Sequence, residues 1–357
     1  MIIGLCGFGC SGASAVIDYL RSFKDIDFFC EYEFQLLHEA DGIQDLKYHL
    51  TKSGERIVCN VALNRFIKKQ KYGTFGKQLN KLLDGKYELL WKTYVEELTL
   101  ATWEGVPSVY DPIDISGFAK NDYIYFAQKT IKWLLRKISD NLNIDVKQIK
   151  YFSILSEDKF DEITKRFLSD LLKELKININ KDVVIDMLYS VTNPNDGMEY
   201  FDNTKAIIVN RDPRDVYVTA KIHPDYSRFM PNQDVNSFIA YYRTLQERIM
   251  KNYKNVLMIQ YEDLIYKYTE TTECICNFLN IKNKPDKEFC YFDPLYSVRY
   301  TNRIDLYSKY IDDIAAIELN LNEFIYDFSN ALPPFKNDKL VKLKGNNKYI
   351  GGVVEPN

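Results

Sequence analysis

A short apolar run, Ile2 to Leu5, breaks into Gly7, Gly9, Ser11, Gly12 and Ser14. An amphipathic stretch follows, with Val16, Tyr19, Leu20 and Phe23 on one face. A strand that ends in a glycine-rich turn and restarts as a helix confines the chain to a βα unit, with the helix N-terminus at the strand's carboxyl end. Such a turn leaves several backbone N–H groups unpaired and aimed at one spot. The helix dipole adds partial positive charge there, so the spot suits a phosphate or sulfate group. The spacing nearly fits the phosphate-binding loop G-x-x-x-x-G-K-[ST], read as Gly7 to Gly12, then Ala13 and Ser14. Ala13 stands where a nucleotide hydrolase has its lysine, so the loop is built for a phosphate-like group but not for ATP or GTP hydrolysis. The plain alternative is a glycine-rich turn that binds nothing.

Further apolar runs read as buried parallel strands: Ile26–Cys30, Arg56–Val61, Val183–Leu188, Ala206–Val209 and Val256–Ile259. Helical stripes lie between them, such as Phe160, Ile163, Phe167, Leu171 and Leu175, or Phe238, Tyr242, Leu245 and Ile249. This alternation predicts an α/β fold, a P-loop-type parallel sheet flanked by helices. Between about 63 and 180 the strand signal fades and helical stripes dominate, for example Ile124, Ala127, Ile131, Leu134, Leu135 and Ile138. The expected organisation is one domain over 1–335 with a helical insertion at about 63–180. A tail rich in lysine and glycine follows at 336–357.

A net charge of −3 over 357 residues gives no overall footprint for nucleic acid or a membrane surface. No apolar run reaches the roughly 20 residues of a membrane span. The apolar start is too short for a signal peptide and lacks a basic leader. Seven cysteines form an odd set with no repeated pairing, and Cys274-Ile-Cys276, in a helical pattern without C-x-x-C spacing, reads as buried structural thiols. The expected location is therefore cytoplasmic. The three histidines are far apart and have no cysteines at ligand spacing, so no metal is expected. Trp91, Trp103 and Trp133 offer faces for sugar rings or, more simply, core aromatics.

The second strong signal is Lys205-Ala-Ile-Ile-Val-Asn-Arg-Asp-Pro-Arg-Asp-Val-Tyr-Val-Thr-Ala-Lys221. A buried strand ends near Val209, Arg211 and Arg214 flank Asp212-Pro213, and a helix starts with proline in its first turn and Asp212 as cap. Residues at the carboxyl end of such a strand face the ligand crevice. Arg211 thus offers a fork of donors where the glycine loop also opens. The structural alternative is an Arg–Asp pair bracing the helix start.

Together these segments resemble the sulfotransferases that use 3′-phosphoadenosine 5′-phosphosulfate. That family's [KR]-[SG]-G-[ST]-[ST] loop is matched by Cys10-Ser-Gly-Ala-Ser14, and its R-[DN]-P-[RK]-D-x-x-x-S stretch by Arg211-Asp-Pro-Arg-Asp-Val-Tyr-Val-Thr219. Val256-Leu-Met-Ile-Gln-Tyr-Glu-Asp-Leu264 is similar to the family's "v-r-Y-E-D-L" junction. Glu33 to Leu50 looks like bacterial members associated with surface polysaccharides. The resemblance implies that Gly9, Cys10, Ser11, Gly12, Ala13 and Ser14 hold the 5′-phosphosulfate of this co-substrate. It also implies that Arg211 and Thr219 hold the 3′-phosphate, with Arg214 near. The implied acceptor is a carbohydrate or other hydroxyl, a capsule or surface-glycan precursor for example.

Family members carry Lys or Arg at the position of Cys10, where the cation stabilises charge on the bridging oxygen; Arg65 and Lys221 are the candidates to replace it. The acceptor's base is expected after the second strand: His38 first, then Glu31 or Glu33, with His49 and His223 behind. Asn302 and Arg303 are a candidate late contact to the nucleotide. Two other functions stay open. Val183-Val-Ile-Asp186 imitates the Mg²⁺-binding strand of ATP-dependent phosphotransferases, and Cys10 would suit a catalytically inactive nucleotide-binding module. Nothing in the sequence sets the oligomeric state.

Overall fold

The computed structural model describes residues 1–105, 130, 133–134, 137, 148–177, 181–249, 253–286, 289–329 and 331. The chain divides into two compact units, Met1–Leu37 with Lys176–Asn357, and His38–Leu175.

The first unit is built on a parallel sheet, so the expected α/β class is the one found. Its strands are β1 (Ile2–Cys6), β2 (Ile26–Phe29), β5 (Asp182–Ile185), β6 (Thr204–Asn210) and β7 (Val256–Gln260), while β3 (Ala101–Gly105) and β4 (Gln148–Phe152) belong to the second unit. The order across the parallel sheet is β2-β5-β1-β6-β7, with Ile3 opposite both Val184 and Lys205. All five residues of β1 are buried, as a strand covered on both faces requires. Helix Ser14–Leu20 packs Val16, Ile17 and Leu20 with Ile3, Leu5, Ile207, Val209, Leu264 and Ile275 into one core. A second core joins Val216, Tyr217, Val218 and Ala220 of helix Pro213–Ile222 to Phe238, Tyr242, Ile314, Ile317 and Leu321. Each such side chain contributes about 1.5–3 kcal/mol on burial. Gly4 is needed in β1 because a Cβ there would lie 2.3 Å from the Tyr189 ring.

The second unit is mainly helical: Arg56–Tyr72, Thr74–Leu82, Lys86–Leu98 and Glu157–Glu174, plus the antiparallel pair β3·β4. Tyr94 ties it together, stacked on Phe167 at 4.4 Å between ring centroids, with its hydroxyl 2.9 Å from Thr164 Oγ1. The strand expected at Arg56–Val61 is instead the opening of the helix Arg56–Tyr72. Cys59, Ala62, Leu63, Phe66 and Gln70 are buried at helical spacing, while Ile57 is exposed. The local β-branched run lost to a longer 3.6-residue period. Trp91 is buried in this unit, whereas Trp103 is exposed. Most of the 124–138 stripe and the 336–357 tail lie outside the described residues. Among those described, no helix is long and apolar enough to cross a membrane.

Candidate functional site

The connections after β1 and β6 leave those neighbouring strands in opposite directions, towards β2 and towards β7. That reversal opens a crevice at the carboxyl edge of the sheet, the place where α/β sheets bind ligands. The glycine loop fills one side. Cys10 and Gly12 both take positive φ, 66° and 84°. Gly12 is doubly constrained, since a Cβ there would lie 2.5 Å from the Tyr261 ring. The loop is braced internally: Ser11 N–H donates to the Phe8 carbonyl at 2.9 Å, and the Ser11 hydroxyl accepts from Phe8 N–H at 3.3 Å. Ser11 is 2% exposed. The backbone N–H groups of Gly9, Cys10, Gly12 and Ala13 find no acceptor among the described residues. Helix Ser14–Leu20 has no side-chain cap and no acidic residue in its first turn, so none of its own side chains competes for an anion there.

Arg211 stands across the crevice, at the end of β6, and is buried. Its Nη1 donates to the Cys10 carbonyl at 2.8 Å and its Nη2 to the Tyr300 carbonyl. Its guanidinium carbon lies 5.1 Å from the Tyr261 ring centroid. Burial opposes its charge, but Asp215, Tyr261 and Glu262 outweigh burial and hold it above the usual arginine range. Its Nε is buried without a partner. Three buried carboxylates surround this cation. Asp215 accepts the N–H groups of Asn302 and Arg303 at 2.8 and 3.2 Å and the Tyr307 hydroxyl at 2.7 Å. Glu262 accepts Asp212 N–H at 3.0 Å and Gln260 Nε2 at 2.8 Å. Burial pushes the Glu262 carboxyl up to about 8, against the pull of Arg211. Asp212 caps the helix Pro213–Ile222 and takes a two-pronged contact from Arg214.

The expected residues therefore separate. Arg214 bonds Asp212, Glu318 and the Tyr326 carbonyl, so its guanidinium braces the helix start. Thr219 is partly exposed in the second turn of that helix. Lys221 pairs with Asp313 at 3.7 Å and donates to the Gln233 carbonyl. Arg303 pairs with Asp305. Arg65 pairs with Asp41, and with His49, Leu46, Val61 and Phe66 these two line a cavity of about 240 Å³ within the second unit. His38 also belongs to that unit. Glu31 is exposed on the segment after β2. His223 ends the helix Pro213–Ile222, its ring 6.1 Å from that of Tyr226.

Cys10, Tyr226, Glu33 and Asp186 are linked in turn by contact or charge. Cys10 bonds to Tyr226, and burial raises its thiol to about 11 although Arg211 opposes the shift. Burial, then Cys10, push the Tyr226 phenol up to about 12, and Glu33 adds to the rise. Asp186, which directly follows β5, is held up near 6 by burial and by the Glu33 charge. Asp186 was visible in the sequence as the acid closing an apolar run. Burial does most to raise its carboxyl, and Glu33, which follows β2 in the chain, adds to the rise because β2 pairs with β5. Among the described residues no group of three or more His, Cys, Asp or Glu side chains is arranged to hold a metal ion.

No protein-family model matches the chain, and neither does any curated protein. Among solved structures, the chain is similar to the sulfotransferase domain of the Synechococcus PCC 7002 olefin synthase, with 11% identity and a TM-score of 0.36, over 87% of this chain and 94% of that one. It is also similar to a sulfotransferase domain from the curacin biosynthetic pathway, with 12% identity and a TM-score of 0.38, over 90% of this chain and 97% of that one.

Proposed function

We propose that the chain binds 3′-phosphoadenosine 5′-phosphosulfate and transfers its sulfuryl group to a hydroxyl acceptor, a carbohydrate being the class we favour. The observation that carries this reading is the loop Gly9–Ser14. Its unpaired N–H groups open on the crevice between β1 and β6, beside the buried cation of Arg211. Such a nest of donors suits a tetrahedral oxyanion. The sequence motifs at the same two strand ends resemble those of the sulfotransferases, with Cys10, Ala13 and Thr219 as departures.

In this reading the loop backbone and the Ser14 hydroxyl hold the 5′-phosphosulfate. Arg211 has three roles. It fixes the loop through the Cys10 carbonyl, and it supplies the positive charge that Cys10 itself lacks. Its unpartnered Nε and the Thr219 hydroxyl are the groups left for the 3′-phosphate. Sulfuryl transfer is an in-line displacement that needs a base for the acceptor hydroxyl and fixed donors on the sulfuryl oxygens. Asp186, with a carboxyl near 6 at the edge of the crevice, is the base we assign, and Glu33 tunes it.

Calorimetric titration with 3′,5′-adenosine bisphosphate, set against ATP with Mg²⁺, tests this reading. Micromolar, metal-independent binding of the bisphosphate without binding of ATP is the expected result. Metal-dependent ATP binding would instead make Asp186 an ion ligand and the chain a phosphotransferase. Bisphosphate binding without sulfuryl transfer to any of a broad set of sugars and alcohols would leave a nucleotide-binding module without turnover.

A further inference from the structure

Within the unit His38–Leu175, the helices Arg56–Tyr72, Thr74–Leu82 and Lys86–Leu98 frame a half-open cavity of about 240 Å³. Two glycines set the corner between the first two. A Cβ on Gly73 would lie 2.4 Å from the Lys69 carbonyl oxygen, and one on Gly76 would lie 2.0 Å from that of Gln70. Glycine inside a helix costs about 1 kcal/mol relative to alanine. Here only glycine lets the helix Thr74–Leu82 approach so closely. Lys77 and Lys81, four residues apart on that helix and so on one side of it, line the cavity with Lys71, Asn80 and Trp91. Neither Lys77 nor Lys81 has a carboxylate partner among the described residues. The one acid in the lining, Glu88, is taken by Lys92 at 2.6 Å, and its N–H donates to Asn80 Oδ1.

Gln70 is the second, independent observation. It lines the same cavity and is 2% exposed; its Oε1 accepts the Tyr87 hydroxyl at 2.7 Å, and its Nε2 has no partner. An unmade buried donor costs about 1–3 kcal/mol, so the Gln70 amide calls for an acceptor that the described residues do not supply.

We propose that this cavity binds a small organic oxyanion, a carboxylate or a sulfate or phosphate ester carried on a ring-sized body. The ammonium groups of Lys77 and Lys81 select the negative head. The size selects the body: a dry cavity of about 150 Å³ accepts a benzene ring, so this one exceeds what an inorganic anion fills, and Trp91 offers it an aromatic wall. This site does not depend on the reading of the glycine loop.

The test is calorimetry on the full chain with glucuronate, glucose 6-phosphate, 4-nitrophenyl sulfate and inorganic sulfate, each matched in ionic strength with sodium chloride. Saturable binding of at least one ring-bearing anion, tighter than inorganic sulfate, is expected. The double variant Lys77→Gln/Lys81→Gln changes only exposed side chains and keeps the fold, as circular dichroism would verify. It should weaken that binding by roughly tenfold or more. Gln70→Met, of similar length but without the amide, should weaken it as well. No saturable heat with any of the four anions overturns the proposal. So does binding that the double variant leaves unchanged, because such binding belongs elsewhere on the chain.

Discussion

Arg211 is the residue on which most of the crevice depends. Truncation would remove the guanidinium that faces both Asp215 and Glu262 and free the Cys10 carbonyl. Breaking a buried pair in this way costs about 3–5 kcal/mol, so Arg211→Ala should show a markedly lower urea midpoint before any ligand is added. Glu262 makes a separate prediction. Its carboxyl is raised from 4.5 to about 8 in the fold, so between these values the unfolded state loses a proton that the folded state keeps. Stability should fall as pH rises through that window, by up to about 1.4 kcal/mol per unit, and level off above it. Glu262→Gln should flatten this part of the profile in denaturant melts taken from pH 5 to 8. Asp186→Asn should leave bisphosphate affinity unchanged and reduce turnover about 10²–10⁴-fold, the usual worth of a general base. The limb of the pH–rate profile near 6 should vanish with it. Lost affinity with unchanged turnover would remove Asp186 from that role.

The elements carry a simpler geometric lesson. The turn between β1 and the helix Ser14–Leu20 is wound so tightly that Gly12 admits no side chain. Gly12→Ala would place a methyl against the Tyr261 ring at a φ that alanine disfavours. It should cost about 1–3 kcal/mol of stability and weaken nucleotide binding together, read by thermal melts and calorimetry on one preparation. This turn, β6 and β7 were legible because each combines an apolar run with glycine, proline or a charged cap at its end. Arg56–Val61 misled because six residues cannot distinguish a strand from the first turns of a long helix. Only the burial of Leu63, Phe66 and Gln70 further along settles the period. Pairing across the sheet was illegible for a different reason. Asp186 and Glu33 lie 153 residues apart, and their mutual influence exists only once β2 and β5 are neighbours. The commitment of Arg214 was half visible, since Asp212 two residues earlier is its natural partner, but Glu318 and the Tyr326 carbonyl come from far along the chain.

At the scale of the whole molecule, all three tryptophans, Trp91, Trp103 and Trp133, fall within His38–Leu175, while the crevice belongs to the other unit. Indole emission therefore follows the helical unit alone, whereas far-ultraviolet dichroism follows both. A ligand at a hundred times its Kd stabilises what it binds by about 2.7 kcal/mol. Saturating bisphosphate should therefore move the dichroism transition upward more than the indole transition; equal shifts would show the two units unfolding as one. The bond from Arg211 to Cys10 spans 201 residues, and the two neighbours of β1 in the sheet, β5 and β6, begin only at Asp182 and Thr204. A ribosome adding about 5–20 residues per second leaves the first strand and its glycine loop waiting roughly 10–40 s for these partners. The central strand of the sheet is thus made first and paired late, and over that interval its apolar residues stay without their sheet partners.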